Sequence, residues 1–339
     1  MSHATLDLTQ PLKALVSSKF SKAYDAKDIV FSSTSLAILV PKKELSFQLR
    51  YCPALAKKPQ KQEPPSQASK KGPKFDPFDN PASELLIAAV PSRAATHTLV
   101  LNKFPVIKRH FIIATREYKP QTGVLEMDDL SLTHACLRAW GQDSHTPADQ
   151  GLFAFFNSGE HSGASQPHRH LQFLPVRDMV EQEQADFRLL VDRMTVPAHP
   201  HLPLYQDPAF PILHFSTPLE HDISPEDLHA KYVLLLKAAL SATHTPGQPF
   251  NDQISVESEG STVFSYNLAL TVDRMAICPR KQEAFQIPFA GPDSSVALNG
   301  TILAGTLMVK EKAEWDALRT DPSILDRLIA EVGYPMSSW

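Results

Sequence analysis

Five short apolar runs between residues 85 and 176 constrain the fold of this chain more than any other feature of its sequence. Each run has four to seven residues and is bounded by turn residues, which is the pattern of strands in a β-sheet. Helix-like segments separate some of these runs, while others follow one another as in hairpins. This order favours an α+β fold over a doubly wound one. The runs lie at 85–90, 98–101, 111–115, 152–156 and 170–176.

Periodic patterns outside these runs predict the remaining elements. A hairpin is expected from 29–40 and 45–51, and a pair of strands from 262–271 and 275–279. Ser224 followed by Pro225 marks the start of one helix, because serine caps helices and proline suits their first turn. Helices are predicted at 9–24, after Asp128, and at 178–194, 224–241, 311–319 and 322–331.

Two proline-containing segments interrupt the pattern, in a chain that has 29 prolines and only 12 glycines. Residues 57–74 read KKPQKQEPPSQASKKGPK and have no hydrophobic period, so they predict a mobile basic loop. Residues 197–218 contain six prolines and predict a long ordered or lid-like loop. No internal repeat stands out, and we expect a single catalytic unit over residues 1–339.

Charge and cysteine content exclude several classes of protein. The 33 basic and 37 acidic residues leave a net charge of -4, so we expect neither nucleic acid nor a membrane surface as a partner. No apolar run approaches the roughly 18 residues of a membrane span, and the first ten residues lack the order of a secretory signal. Cys52, Cys136 and Cys278 are isolated, which predicts a cytoplasmic protein, with the nucleus as a second location, and no zinc–thiolate site.

The scarce glycines cluster before the last of the five runs. Gly151, Gly159 and Gly163 place three of the twelve within 13 residues. The loop between the runs at 152–156 and 170–176, which contains Gly159 and Gly163, is also rich in small residues and hydrogen-bond donors. Such a loop can bring backbone N–H groups close to phosphate oxygens, so we expect a phosphate-binding loop here.

This loop leads into the sequence His168-Arg169-His170-Leu171-Gln172. Alternate side chains of a strand share a face, so the two histidines and Gln172 would line one surface while Leu171 anchors the strand in the core. A histidine suits nucleophilic attack at phosphorus because an unperturbed imidazole, with a pKa of about 6.5, is mostly neutral at pH 7. His-x-His pairs on strands also bind zinc or have purely structural roles. The spacing alone therefore leaves catalysis, metal binding and structure open.

The string from Asn157 to Pro175 resembles the histidine-triad superfamily in its His-x-His-x-Gln branch, which contains nucleotidyl transferases. Within that branch, the chain looks similar to the fungal-type diadenosine tetraphosphate phosphorylases, also called ATP adenylyltransferases. The resemblance extends over roughly residues 45–335 and implies a HIT-like fold, with an antiparallel sheet core and flanking helices. The segments that carry it are 101–118, 157–173, 265–280, 299–310 and 331–335.

The resemblance also implies a reaction. His170 would attack the α-phosphorus and carry AMP, and inorganic phosphate would then attack the adenylyl-histidine, so that diadenosine tetraphosphate becomes ATP and ADP. Gln172 would contact the adenylyl phosphate, and His168 would orient or polarise the site.

Substrate-binding residues follow from the same resemblance. Asn157 and the loop Gly163, Ala164, Ser165 and Gln166 would cradle phosphates, and Asn102 and Lys103 would bind nucleotide. The segment at about 262–335, with Asn267, would complete the nucleotide site. A polyphosphate also needs cations, for which Lys57 or Lys58 and Arg280 or Lys281 are candidates. A divalent cation, magnesium by expectation, would arrive bound to the substrate, since no carboxylate cluster is dedicated to holding one.

Two alternatives remain beside this interpretation. A hexose-1-phosphate uridylyltransferase shares the His-x-His-x-Gln pattern, but proline usually stands where this chain has Arg169 and Leu171. A non-catalytic nucleotide-binding protein would not need His170 beside Gln172. The expected partners are nucleotides, and we expect a monomer.

Overall fold

The structure is a computed structural model that describes residues 4–31, 34–41, 45–57, 75–142, 151–180, 187–251, 253–256, 262–287, 291 and 294–336. The predicted basic loop at 57–74 lies outside these residues except for the backbone of Lys57. Within the described chain the helices are α1 (Leu12–Asp25), α2 (Met127–Gln142), α3 (Val176–Met179), α4 (Pro225–His244), α5 (Lys312–Thr320) and α6 (Ser323–Val332).

A ten-stranded antiparallel sheet forms the centre of the molecule. Its strands are β3 (Leu86–Val90), β4 (His97–Leu101), β5 (Phe111–Thr115), β6 (Leu152–Ser158), β7 (His170–Pro175), β8 (Val196–Pro197), β9 (Tyr205–Gln206), β10 (Phe215–Pro218), β11 (Ser265–Leu270) and β12 (Arg274–Arg280). Their order in the sheet is β3-β4-β5-β7-β6-β11-β12-β10-β9-β8. The predicted runs between 85 and 176 form the first five positions of that order.

Two smaller sheets accompany the large one. The predicted hairpin is present as β1 (Ser35–Leu39) and β2 (Phe47–Tyr51), and β15 (Thr306–Val309) pairs with β2 in parallel. Both faces of β2 are buried, because Phe47 and Leu49 join a hydrophobic core on one face and Gln48 and Arg50 donate to the carbonyl oxygen of Met179 on the other. The second small sheet consists of β13 (Ala284–Gln286) and β14 (Ser295–Ala297).

Each face of the large sheet carries its own hydrophobic core. On one face, Leu171 and Phe173 of β7 join a cluster that includes side chains of α1, α2 and α4. On the other face, Phe153 and Phe155 of β6 pack with β2, β15, α5 and α6. Residues of β7 alternate between these faces, which is the arrangement expected of a strand buried on both sides.

The α+β class is confirmed, as are five of the six predicted helices. Ser224 caps α4 as expected, since its hydroxyl accepts a hydrogen bond from the backbone N–H of Asp227 at 3.0 Å. The helix predicted at 178–194 is wrong. Helix α3 ends at Met179, Val180 and Leu189 have non-helical backbone angles, and only a short 3-10 helix is present at Leu190–Arg193, while residues 181–186 lie outside the described chain.

The proline-rich region at 197–218 is ordered and belongs to the large sheet. It supplies β9 and β10, and Phe210, Leu213 and Phe215 within it are buried. Pro197 lies in β8 at the edge of the sheet, where proline is tolerated, and Pro218 is the last residue of β10. Any lid-like movement of this region stays a prediction.

Candidate active site

His170 and Gln172 lie side by side on one face of β7, as the alternation of a strand requires. Their neighbours across β5 are Ala114 and Ile112, and Gln172 also pairs with Phe155 of β6. Leu171 points to the opposite face and is buried in the helix-covered core. The sheet therefore holds both polar side chains rigidly on a shared surface.

The imidazole of His170 is held in one tautomer by the backbone of His168. Nδ1 of His170 lies 2.8 Å from the carbonyl oxygen of His168. A carbonyl oxygen can only accept a hydrogen bond, so Nδ1 carries the proton and, in the neutral ring, Nε2 keeps its lone pair. This is the protonation state that a histidine nucleophile needs.

His168 precedes the strand, and both of its ring nitrogens face acceptors. Nδ1 lies 2.7 Å from a carboxylate oxygen of Asp76, and Nε2 lies 2.8 Å from the carbonyl oxygen of Thr115. The ring of Phe78 contacts both histidines, at centroid distances of 5.7 Å from His168 and 5.0 Å from His170. His168 is thus fixed beside His170, and Asp76 is a residue of this site that sequence reasoning missed.

A second residue that sequence reasoning missed, Gln121, connects the backbone of His170 to β6. Its side-chain oxygen accepts from the N–H of His170 at 2.8 Å. Its amide nitrogen donates to the carbonyl oxygens of His170 and Asn157 at 3.1 and 2.9 Å. Gln121 is buried, so these bonds are protected from water. No signal in the sequence marks this glutamine, because it stands in an ordinary polar turn.

A chain of hydrogen bonds extends from Gln172 to the loop after β4. The side-chain oxygen of Gln172 accepts from Nε2 of His110 at 3.1 Å, and Asn102 donates to Nδ1 of His110 at 3.2 Å. The structure therefore brings Asn102 into contact with the motif through the side chain of His110. Lys103, next to Asn102, is exposed, whereas the side chain of Lys57 and all of Lys58 lie outside the described residues.

The glycine-containing loop between β6 and β7 is held by close packing. Gly159 has a φ of 90° and lies against Ser265, and Gly163 has a φ of 81° and lies against Leu298 and Asn299. A Cβ on Gly163 would come within 2.6 Å of the carbonyl oxygen of Leu298. Glycine is therefore required here by the fold, in addition to any role in binding phosphate. After it, Ser165 is exposed and Ala164 and Gln166 are half-buried.

Asn157 and Asn267 face each other across β6 and β11, next to His170. The side-chain oxygen of Asn157 accepts from the side chain of Asn267 at 2.9 Å and from the N–H of Gly300 at 2.8 Å. Asn267 is fully buried and also donates to the carbonyl oxygen of Ser162 at 2.8 Å. Asn267 thus ties the phosphate-loop candidate to the sheet and is not exposed to a ligand.

Arg280 has an internal role that the sequence did not predict. Its guanidinium donates to Asn267 and to the backbone carbonyls of Leu298, Gln282, Glu283 and Val332. Only 1% of the residue is exposed, and this burial lowers its pKa to about 10. The expectation that Arg280 contacts phosphate is contradicted, because each of its nitrogens is already bonded inside the protein. Lys281, the other candidate, is exposed beside it.

Arg169, between the two histidines, points to the opposite side of the motif. It forms ion pairs at 2.9 Å with Asp129 at the start of α2 and with Glu126. Asp129 also bonds to Nε2 of His97 at 2.9 Å and accepts from the backbone N–H of Glu126. This buried cluster anchors the start of β7 to helix α2.

In the part of the chain that the structure describes, no group of three or more histidine, cysteine or carboxylate side chains could hold a metal ion. No described helix is both long and apolar enough to span a membrane.

Comparison with known proteins gives matches along most of the chain. A family model described as the Ap4A phosphorylase N-terminal domain matches residues 3–192, and one described as the ATP adenylyltransferase C-terminal domain matches residues 208–335. The Saccharomyces cerevisiae protein named diadenosine 5',5'''-P1,P4-tetraphosphate phosphorylase 2 is 29% identical over 307 residues, which cover 87% of this chain and 86% of the yeast protein.

Solved structures show the same architecture. The crystal structure of yeast Ap4A phosphorylase Apa2 in complex with Ap4A aligns with a TM-score of 0.73 at 24% identity, over 97% of this chain and 99% of that one. The structure of Apa2 with AMP gives the same TM-score at 23% identity, over 97% of this chain and 98% of that one. At this level of identity, the likeness shows the fold, and the predicted HIT-like fold is confirmed.

Proposed function

The chain belongs to the Ap4A phosphorylase family and is a nucleotidyltransferase that acts on diadenosine tetraphosphate, and on that premise we propose that His170 is the residue that carries the adenylyl group. The observation that carries the proposal is the hydrogen bond from Nδ1 of His170 to the carbonyl of His168. It places the proton of the neutral ring on Nδ1, so that Nε2 is the ring nitrogen whose lone pair can act as the nucleophile.

The reaction has two displacement steps. Nε2 of His170 attacks the α-phosphorus, an N–P bond forms, and the bond to the bridging oxygen breaks with its electron pair leaving on ATP. The cationic ring of the adduct keeps its Nδ1 proton hydrogen-bonded to His168. An oxygen of inorganic phosphate then attacks the same phosphorus, the N–P bond breaks, and ADP leaves with His170 regenerated.

The orientation of the side-chain amide of Gln172 supports this proposal. His110 donates to its side-chain oxygen, so the amide nitrogen, which donates two hydrogen bonds, is the end that can bind an anion. We assign this group to the phosphate next to His170. A donor held in place before the reaction stabilises charge on the transferring phosphoryl group without reorganising.

The loop Gly163, Ala164, Ser165 and Gln166, with Lys103 and Lys281, is our candidate surface for the remaining phosphates. Magnesium is proposed to arrive with the polyphosphate. A lysine of the segment at 57–74 would contribute further positive charge. The cytoplasmic location and the monomeric state remain predictions.

Nucleotide analysis tests the proposal directly. The protein is mixed with diadenosine tetraphosphate, magnesium and phosphate, and the products are separated by ion-exchange chromatography. We expect ATP and ADP in equal amounts, only when phosphate is present, and no turnover in His170→Ala. The matched control is His221→Ala, whose side chain is 83% exposed on the surface.

Intact-protein mass spectrometry tests the covalent step. Without phosphate, the wild type should gain one acid-labile AMP group, and His170→Ala should gain none. Release of AMP without phosphate would indicate a hydrolase, and an adduct that persists in His170→Ala would refute His170 as the nucleophile. Binding without turnover would favour a non-catalytic nucleotide-binding protein.

A further inference from the structure

Asp76 lies 92 residues before His168 in sequence, and its carboxylate contacts the imidazole of that histidine. The distance between its Oδ2 and Nδ1 of His168 is 2.7 Å. The side chain of His168 is only 1% exposed and that of Asp76 is 25% exposed, so the contact lies largely out of water. A shielded contact of this kind is stronger than an ion pair on the open surface.

The two ring nitrogens of His168 face different acceptors. Nε2 lies 2.8 Å from the carbonyl oxygen and 3.0 Å from the hydroxyl oxygen of Thr115. Nδ1 faces the carboxylate of Asp76, which can accept a hydrogen bond from this nitrogen. Asp76 and Thr115 therefore hold the ring from opposite sides and prevent it from turning.

The same carboxylate also shapes the segment that covers His170. Its Oδ1 accepts from the backbone N–H of Phe78 at 2.9 Å, which closes a turn within residues 76–78. That turn places the ring of Phe78 against both histidines. A single side chain thus controls the position of His168 and of the ring beside His170.

We propose that Asp76 is a positioning residue for the nucleophile. It holds His168, whose carbonyl oxygen orients Nδ1 of His170, so that Nε2 points at the α-phosphorus. The inference rests on the proposed function of His170, and it assigns to Asp76 an effect that acts through His168 and Phe78. Its effect should appear in the rate of adenylyl transfer, because a misplacement of about 1 Å in a reacting group can lower a rate about 100-fold.

Rapid-quench kinetics with the full chain test the inference. Asp76→Ala should slow adenylylation of His170 by diadenosine tetraphosphate about 10- to 100-fold, with KM changed less than about threefold. Asp76→Asn keeps an oxygen that can accept from Nδ1 and should lie between Asp76→Ala and the wild type. Asp79→Ala is the matched control, since Asp79 is exposed one residue after Phe78.

Two further measurements separate positioning from loss of structure. Thermal unfolding gives the folded fraction of each variant, and the ¹⁵N shifts of the imidazole of His168 report how its nitrogens are bonded. We expect folded Asp76→Ala protein with altered His168 shifts and slow adenylylation. A wild-type rate in folded Asp76→Ala, unchanged His168 shifts, or a rate that falls only with the folded fraction would overturn the inference.

The failure of this inference and that of the proposed function are distinguishable. If the wild type forms no adenylyl adduct, the function of His170 is wrong, whatever Asp76 does. If the wild type forms the adduct and Asp76→Ala forms it equally fast, only the role of Asp76 is wrong.

Discussion

Gly163 illustrates how one residue can be needed for two reasons. The residue lies in the loop that we assign to phosphate, but its backbone also has a positive φ and its α-carbon lies against the backbone of residues 298 and 299. Any side chain at this position would meet both the strain of the left-handed region and a steric clash. Loss of binding after substitution would therefore not by itself show a role in catalysis.

Gly163→Ala should lower the free energy of unfolding more than Gly151→Ala. Gly151 has a similar φ of 78°, but a Cβ there would meet nothing within 4 Å. Strain alone should cost Gly151→Ala about 1 to 2 kcal/mol, and the clash should add about 1 to 3 kcal/mol in Gly163→Ala. Urea unfolding measures both. Equal losses would mean that the neighbouring backbone yields to the methyl group.

Other residues of the site could not have been found by local reasoning. The pattern His168, His170 and Gln172 is visible in the sequence because the three positions are two apart on one strand. Asp76 and Gln121 contact the same motif from sequence separations of 92 and 49 residues. No spacing rule links such positions, because the contact exists only after the strands have paired.

At the scale of elements, the start of β7 is anchored by Asp129 of α2. Burial is the largest influence on the Asp129 carboxyl and opposes its ionisation, but the hydrogen bond from His97 and the charge of Arg169 outweigh it. The pKa of Asp129 is therefore lowered from 3.8 in the folded protein. A carboxyl group whose pKa is lower in the folded than in the unfolded protein stabilises the fold at any pH above its unfolded-state pKa. This stabilisation is lost as the pH falls through the folded-state pKa.

Asp129→Asn should destabilise the protein at pH 7 and reduce its sensitivity to acid. Removing one partner of a buried ion pair typically costs about 3 to 5 kcal/mol. The wild type should lose stability below about pH 4, and the variant should lose less over the same range. Asp128→Asn, an exposed neighbour in the first turn of α2, is the control. Urea unfolding at several pH values measures the difference, and parallel pH curves for both proteins would contradict this assignment.

At the scale of the whole molecule, one sheet serves two cores. The faces of β6, β7, β11 and β12 contribute to both clusters, so neither core can lose its packing without disturbing the strands it shares with the other. The segment that matches the N-terminal family domain and the segment that matches the C-terminal one both contribute strands to this sheet. We therefore expect the molecule to unfold as one cooperative unit.

Leu235→Ala and Leu325→Ala test this expectation from opposite faces. Leu235 of α4 and Leu325 of α6 are fully buried, one in each core. Each variant should lower the midpoint temperature of the same single transition. The free energy of unfolding should fall by about 2 to 5 kcal/mol in each. Scanning calorimetry should give equal calorimetric and van't Hoff enthalpies in each case. Two transitions, each shifted by only one variant, would show that the halves unfold independently.

The sequence by itself determined the α+β class, most helices and strands, and the strand that carries His170, because these depend on local periodicity and turn residues. The resemblance along the chain pointed to the family. The tertiary structure alone decided that Arg280 supports the sheet from inside, and that Asp76, Gln121 and His110 belong to the site. These assignments depend on which side chains the folded strands bring within hydrogen-bonding distance and how much water they exclude. Such properties belong to the packed molecule and are not encoded in any local pattern.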